Sequence, residues 1–119
     1  MGNLLITGGA GFIGSRLATI AANEGWNVIV LDILSTGLEA TAKSLESKGI
    51  EVNIGDIRDR SLVANLVGKS DSVVHLAAQV SVPISVENPA ETMEINVNGT
   101  QNVIDSCLAH GVRRLVVAS

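Results

Sequence analysis

No tyrosine occurs among the 119 residues, so nothing the chain does by itself uses a phenol to carry a proton. Aromatic residues are scarce altogether, with one Trp and one Phe. The single cysteine, Cys107, excludes an internal disulfide and fits a reducing compartment. No apolar stretch approaches the roughly 20 residues that a membrane-crossing helix needs. The N-terminus runs straight into a strand pattern without the features of a signal peptide, so a cytoplasmic location is expected. The net charge is −4 and no basic cluster stands out, so neither nucleic acid nor an anionic membrane is an expected partner. No Ser-His-Asp arrangement and no metal-ligand spacing is evident, and no residue is assigned a catalytic or metal-binding role.

Apolar residues are abundant, at 46%, and many come as runs: Leu4-Leu5-Ile6, Val28-Ile29-Val30-Leu31, Val73-Val74 and Leu115-Val116-Val117. Such runs suit parallel strands buried on both faces. Strand and helix patterns alternate along the chain with no repeat or linker, which predicts a doubly wound α/β sheet. Strands are expected at Asn3–Thr7, Asn27–Leu31 (ending at Asp32), Ile50–Ile54, Ser72–Leu76 and Val112–Ala118. Helices are expected over Gly11–Asn23, around Leu38, Ala42 and Leu45, around Leu62, Val63, Leu66 and Val67, and over Pro89–Ala109. In the first, Ile13, Leu17, Ile20 and Ala21 fall at helical spacing. In the last, Met93, Val97, Thr100, Ile104 and Cys107 share a face, with Val103 and Leu108 beside it, so Cys107 reads as core. The two prolines, Pro83 and Pro89, fall in an expected loop from Val80 to Pro89.

The stretch Thr7-Gly8-Gly9-Ala10-Gly11-Phe12-Ile13-Gly14 joins the first strand to the first helix. A strand end followed by a helix N-terminus presents unpaired N–H groups and the positive end of a helix dipole, a ready pyrophosphate site. Glycines let the backbone turn tightly and let phosphate oxygens approach without meeting a Cβ. Asp32 closes the second strand 18 residues after Gly14. The dinucleotide-binding fold places an acid there to hold the adenosine ribose hydroxyls. A carboxylate at that point also repels a 2′-phosphate, which favours NAD over NADP. Arg16 is expected to be a solvated helix residue and His75 a satisfied core histidine. Asp59 is expected to cap the following helix, and His110 to sit near its own helix C-terminus.

The spacing Gly8-x-x-Gly11-x-x-Gly14 within TGGAGFIG resembles the extended short-chain dehydrogenase/reductase family, and within it the nucleotide-sugar epimerases and dehydratases. The likeness implies a Rossmann-type sheet in the order 3-2-1-4-5, with residues 1–119 forming the NAD-binding portion of a longer enzyme. It implies that Phe12 and Ile13 lie by the cofactor with Gly8, Gly11 and Gly14, that Ile33 accompanies Asp32, and that Asp56 and Ile57 contact the adenine. The segment His75-Leu76-Ala77-Ala78-Gln79 resembles the family's strand end beside the nicotinamide ribose, which places Leu76, Ala77 and Ala78 at the cofactor. Gln79-Val80-Ser81-Val82-Pro83 looks like the substrate-side loop of UDP-sugar enzymes, chiefly UDP-glucose 4-epimerases, with Gln79 and Ser81 on the UDP-sugar side. Asn96-Val97-Asn98-Gly99-Thr100 resembles a signature whose first asparagine, here Asn96, holds active-site backbone near the cofactor. An asparagine and a glycine inside a helix are unfavourable by propensity, which points to close packing or function there.

The family's chemistry needs a Tyr-x-x-x-Lys pair beyond the fifth strand, and this chain has no tyrosine. The implied parent is therefore an NAD-dependent epimerase, and the chain itself is expected to be inactive alone. A 4,6-dehydratase or ketone reductase of the same family, and a stand-alone NAD-binding module, are the alternatives. The fifth strand should be an open sheet edge able to pair with a second copy.

Overall fold

A computed structural model describes residues 2–33, 39–76, 90 and 94–117, with backbone alone for residues 94–96. Five parallel strands form one sheet: β1 (Asn3–Thr7), β2 (Asn27–Asp32), β3 (Glu51–Ile54), β4 (Ser72–His75) and β5 (Arg114–Val117). Their order is β3-β2-β1-β4-β5, as the sequence implies. The connecting helices are α1 (Phe12–Asn23), α2 (Glu39–Ser47), α3 (Arg60–Gly68) and α4 (Thr100–His110), the last preceded by a π-helical turn over Glu94–Gly99.

The apolar runs split by strand periodicity into two cores, one on each side of the sheet. Leu5, Ile29, Leu31 and Val73 face α3 and α4, where they meet Val63, Leu66, Val67, Val103 and Cys107. Leu4, Ile6, Val28 and Val30 face α1 and α2, where they meet Ala18, Ala21 and Leu45. The β1–β2 register pairs Thr7 with Leu31 and the β1–β4 register pairs Thr7 with His75. The carboxyl ends of the three central strands therefore finish level, and every loop that could carry a ligand starts from the same rim.

Two helix faces differ from the sequence expectation. On α1, Ile13 and Ile20 point outward, 69% and 56% exposed, whereas Ala21 is buried and Leu17 packs against the core as expected, with Gly14 and Ala18 buried beside them. The first turn of α1 rests on the loop backbone at Gly14, where a Cβ would lie 2.3 Å from Gly8 O. At the other end of the chain, Val97 and Leu108 are exposed, and Val103 and Cys107 carry the buried face. The π-helical turn supplies the reason for Val97: its extra residue per turn shifts the phase of the stripe ahead of α4. Gly99 is buried against Ile57, and a Cβ on it would lie 2.4 Å from Ile57 Cδ1. Close packing thus accounts for the helix-breaking residue. The helices end where glycine allows it, with positive φ at Gly25, Gly49 and Gly111. Asp59 caps α3 as expected, accepting from the Leu62 N–H. Leu38 and Met93 lie outside the described residues. Among the described residues no helix is long and apolar enough to cross a membrane, and no group of acidic, histidine or cysteine side chains is arranged to hold a metal ion.

Candidate dinucleotide site

The turn between β1 and α1 is built by its glycines, each in a different way. Gly8 adopts φ +76°, the left-handed conformation that side chains disfavour, and its N–H donates to Leu31 O at 2.7 Å. Gly9 packs on Val30, where a Cβ would lie 2.6 Å from both methyl groups. At Gly14 a Cβ would lie 2.3 Å from Gly8 O and 2.8 Å from Gly9 Cα, so the first turn of α1 rests directly on the loop backbone. Gly11 differs: a Cβ there would meet only Gly8 O at 3.5 Å, an ordinary contact. Gly11 is the N-cap of α1 and has no side chain with which to cap the helix. The first-turn N–H groups have no intrahelical acceptor, and no acidic side chain stands in that turn, so the helix end keeps its positive dipole for an anion. A backbone cradle that a Cβ would fill is what a pyrophosphate requires, and these residues fit one.

Asp32 is buried at the end of β2, 8% exposed, and its Oδ2 accepts the Ala10 N–H at 3.0 Å. The acid is thereby tied to the glycine turn across 22 residues of sequence. Ile33 follows it, half-exposed. Gly55 N–H donates to Asp32 O at 3.1 Å, which seats the segment after β3 beside the acid. In that segment Asp56 accepts the Arg58 backbone N–H at 2.8 Å and the Arg58 Nε–H at 2.9–3.0 Å. The Arg58 guanidinium holds the Asp56 carboxyl below the usual carboxylate range, against the opposing effect of its partial burial. Ile57 is 5% exposed and belongs to the core, and its carbonyl accepts from Asn102 Nδ2 at 3.0 Å.

At the ends of β1 and β4 a buried polar network joins three elements. The Thr7 hydroxyl lies 2.6 Å from His75 Nδ1, and His75 Nε2 lies 2.8 Å from the Thr100 hydroxyl. Leu76 N–H reaches both Thr7 O, at 2.9 Å, and Thr7 Oγ1, at 3.1 Å. His75 is a satisfied core histidine, as expected, and burial lowers its pKa. Burial likewise raises that of the Cys107 thiol, so this cysteine is no ready nucleophile.

The structure thus gathers Gly8, Gly11, Phe12, Ile13, Gly14, Asp32, Ile33, Asp56, Ile57 and Leu76 on the carboxyl rim of the sheet. Phe12 and Ile13 are 80% and 69% exposed at the open end of α1, and the Arg16 guanidinium sits 5.9 Å from the Phe12 ring centroid. Asn96 lies in the π-helical turn, with only its backbone described. Ala77, Ala78, Gln79 and Ser81 lie outside the described residues. Sequence reasoning missed Gly9, Ala10, Arg58 and the threonine pair that holds His75. The glycine pattern hinted at Gly9 and the close spacing of Asp56 and Arg58 at a local ion pair, whereas Ala10 and the threonines become visible only when distant parts of the chain are brought together.

The family model for the NAD dependent epimerase/dehydratase family matches residues 4–119. The chain belongs to that family. CDP-paratose 2-epimerase of Salmonella typhi is 45% identical over 107 residues, covering 87% of this chain and 32% of that protein. dTDP-glucose 4,6-dehydratase of Mycobacterium tuberculosis is 39% identical over 112 residues, covering 92% and 34%. Among solved structures, the UDP-glucose 4-epimerase of Thermus thermophilus in complex with NAD superposes with a TM-score of 0.83 at 37% identity, covering 95% of this chain and 36% of that one. The chain spans about a third of the length of the curated relatives it matches. In this member of the epimerase/dehydratase family the glycine turn and the strand-end acid are joined by the Ala10–Asp32 contact.

Proposed function

We propose that residues 1–119 are the NAD-binding portion of a nucleotide-sugar epimerase, most like a UDP-glucose 4-epimerase, with a UDP-sugar as the parent's substrate. The observation that carries this reading is the glycine turn closed onto Asp32 by the Ala10 N–H. NAD, when bound, accepts a hydride from a sugar carbon and can return it. The chain's own part is to hold and orient. The α1 N-terminus and the Gly8–Gly14 turn take the pyrophosphate, and Asp32 takes the adenosine ribose and turns away a 2′-phosphate. The family likeness assigns Asp56 and Ile57 to the base, Leu76, Ala77, Ala78 and Asn96 to the nicotinamide, and Gln79 and Ser81 to the sugar nucleotide. Proton transfer is left to residues other than these, since no phenol is present.

Calorimetric titration with NAD and NADP tests the reading. Saturable NAD binding, tighter than NADP and weakened tenfold or more in Asp32→Ala, is expected; equal affinity for both would refute the role of Asp32. The absence of tyrosine favours a second reading, a binding module with no chemistry of its own. A Tyr-x-x-x-Lys motif encoded downstream in the same gene would decide against it. A 4,6-dehydratase or reductase parent would use this same portion, and product analysis of the whole protein with UDP-glucose separates those from the epimerase. We further infer that the β5 edge, where Val116 and Val117 are 49% and 45% exposed, pairs with a second copy. Light scattering at high protein concentration should then give a dimer mass, and a clean monomer would refute it.

A further inference from the structure

The tautomer of one buried ring is dictated by its neighbours. The Thr7 side chain is fully buried, and its hydroxyl oxygen accepts the Leu76 N–H at 3.1 Å. The hydroxyl has one proton to give. Among the described residues its only acceptor is His75 Nδ1, 2.6 Å away. Nδ1 is therefore bare. A neutral imidazole carries its proton on one nitrogen alone, so the proton sits on Nε2 and is donated to Thr100 Oγ1 at 2.8 Å. The bonds all run in one direction, from the Leu76 amide through Thr7 and His75 to Thr100.

The opposite tautomer fails on the same count. With the proton on Nδ1, Thr7 Oγ1 would accept from both Leu76 and His75, and its own proton would have no partner in a site closed to water. An unmet buried donor disfavours that arrangement by roughly tenfold or more. Thr100 escapes the difficulty because it is only partly buried, so its own proton can reach solvent. His110 provides a contrast within the same chain. Its Nδ1 lies 2.9 Å from Ser106 O, a carbonyl that can only accept, so there Nδ1 carries the proton.

Through these bonds His75 joins two parts of the rim. Thr7 is the residue before Gly8, where the backbone takes φ +76° and the glycine turn begins. Thr100 opens α4 directly after Gly99, which packs on Ile57, and Asn102 two residues later donates to the Ile57 carbonyl. The first turn of α4 is thus anchored to the segment after β3, and the Nε2–H bond ties that anchored turn back to the end of β1. We infer, on the dinucleotide reading above, that His75, fixed as its Nε2–H tautomer, is a positioning residue of the cofactor site: it braces the start of the glycine turn against the first turn of α4. Thr7 and His75 are both buried, so their effect on a bound dinucleotide passes through the backbone at Gly8.

The test has two arms. Proton–nitrogen correlation spectra of the ring nitrogens are recorded at about pH 8, above the ordinary histidine range, with His110→Gln to identify which signals belong to which ring. His75 should show a bare Nδ1 and a protonated Nε2. A ring protonated on Nδ1, or an even mixture, would overturn the inference. Calorimetric titration with NAD then compares the unmodified chain with Thr100→Val and Thr100→Ser, at a temperature where thermal melts show each to be folded. Thr100→Val keeps the shape and removes the acceptor, so either tautomer leaves one buried donor unmet. Its His75 signals should lose the single-tautomer pattern, and NAD affinity should fall by about two- to thirtyfold. Thr100→Ser restores the hydroxyl and should restore both. His75→Asn, whose carboxamide stops at the level of Nδ1 and cannot reach Thr100, is the second variant and should weaken NAD by a similar factor. A merely structural role would lower Tm in these variants and leave NAD affinity unchanged, and that result would overturn the inference with the dinucleotide reading intact. No NAD binding by the unmodified chain would overturn the dinucleotide reading and the positioning role with it.

Discussion

Gly14→Ala offers a sign test of the packing at the glycine turn. In a helix free of neighbours the change stabilises, since glycine costs about 1 kcal/mol relative to alanine. Here the new Cβ would stand 2.3 Å from Gly8 O and 2.8 Å from Gly9 Cα. Both neighbours are backbone, so neither can rotate aside; relief requires α1 to lift off the loop by roughly 1 Å. Forcing extra volume into packed structure costs typically about 1–3 kcal/mol, and a backbone neighbour puts this site near the upper figure. Subtracting the propensity gain leaves a net loss of about 2 kcal/mol. For a chain of this size that lowers Tm by roughly 6–10 °C. Gly11→Ala is the control, because its Cβ meets only Gly8 O at 3.5 Å. Thermal and urea unfolding followed by circular dichroism would measure both. Gly14→Ala should melt well below the parent and Gly11→Ala within about 2 °C of it, although both should weaken NAD binding. A Gly14→Ala chain as stable as the parent, or more so, would show that α1 does not rest on the loop, and the cradle argument would fail with it.

Other perturbations have equally definite outcomes. Thr7→Val leaves the buried His75 Nδ1 without its hydroxyl partner and removes one of the two acceptors of the Leu76 N–H, which should cost about 1–3 kcal/mol by urea unfolding. His75 gives a pH dependence with a defined sign. Its folded pKa lies below 6.5 because burial disfavours the charged ring, so the unfolded chain binds the extra proton first. Stability should therefore be constant above about pH 6.5 and decline as the pH falls below it, and His75→Gln should remove that slope. Gly99→Ala should destabilise by overlap with Ile57, and Ile57→Ala should relieve part of that cost, so the double variant is less damaged than the sum of the two. Additive losses would separate Gly99 from Ile57.

The sheet was legible in the sequence because its determinants are local. Apolar runs mark strands buried on both faces, and the alternation with helices leaves few topologies. The glycine turn and Asp32 were legible because their spacing is fixed by one strand-helix-strand unit. What lay hidden depends on approach between distant parts. On α1, spacing placed Ile13, Leu17, Ile20 and Ala21 in one stripe; Leu17 and Ala21 do face the core, yet the closeness that Gly14 permits turned Gly14 and Ala18 inward and left Ile13 and Ile20 outside. The π-helical turn before α4 moved Val97 to the surface, since a 3.6-residue period cannot foresee an inserted residue. His75 read correctly as a core residue from its apolar strand, but its two threonine partners come from residues 7 and 100 and no local pattern links them.

The placement of β1 at the centre of the sheet bears on how the chain acquires its structure during synthesis. β1 is made first, and its two neighbours arrive at very different times. Asn3 meets Asn27 on β2, whereas Leu4 waits for Ser72 on β4. The later closure spans roughly three times as much chain and costs about 1 kcal/mol more in loop entropy. Once Ile54 has left the ribosome, three neighbouring strands, α1 and the Ala10–Asp32 contact all have their partners. The nascent chain can therefore bring the glycine turn and Asp32 together as a vectorial, self-contained step, before β4 and β5 have joined the sheet.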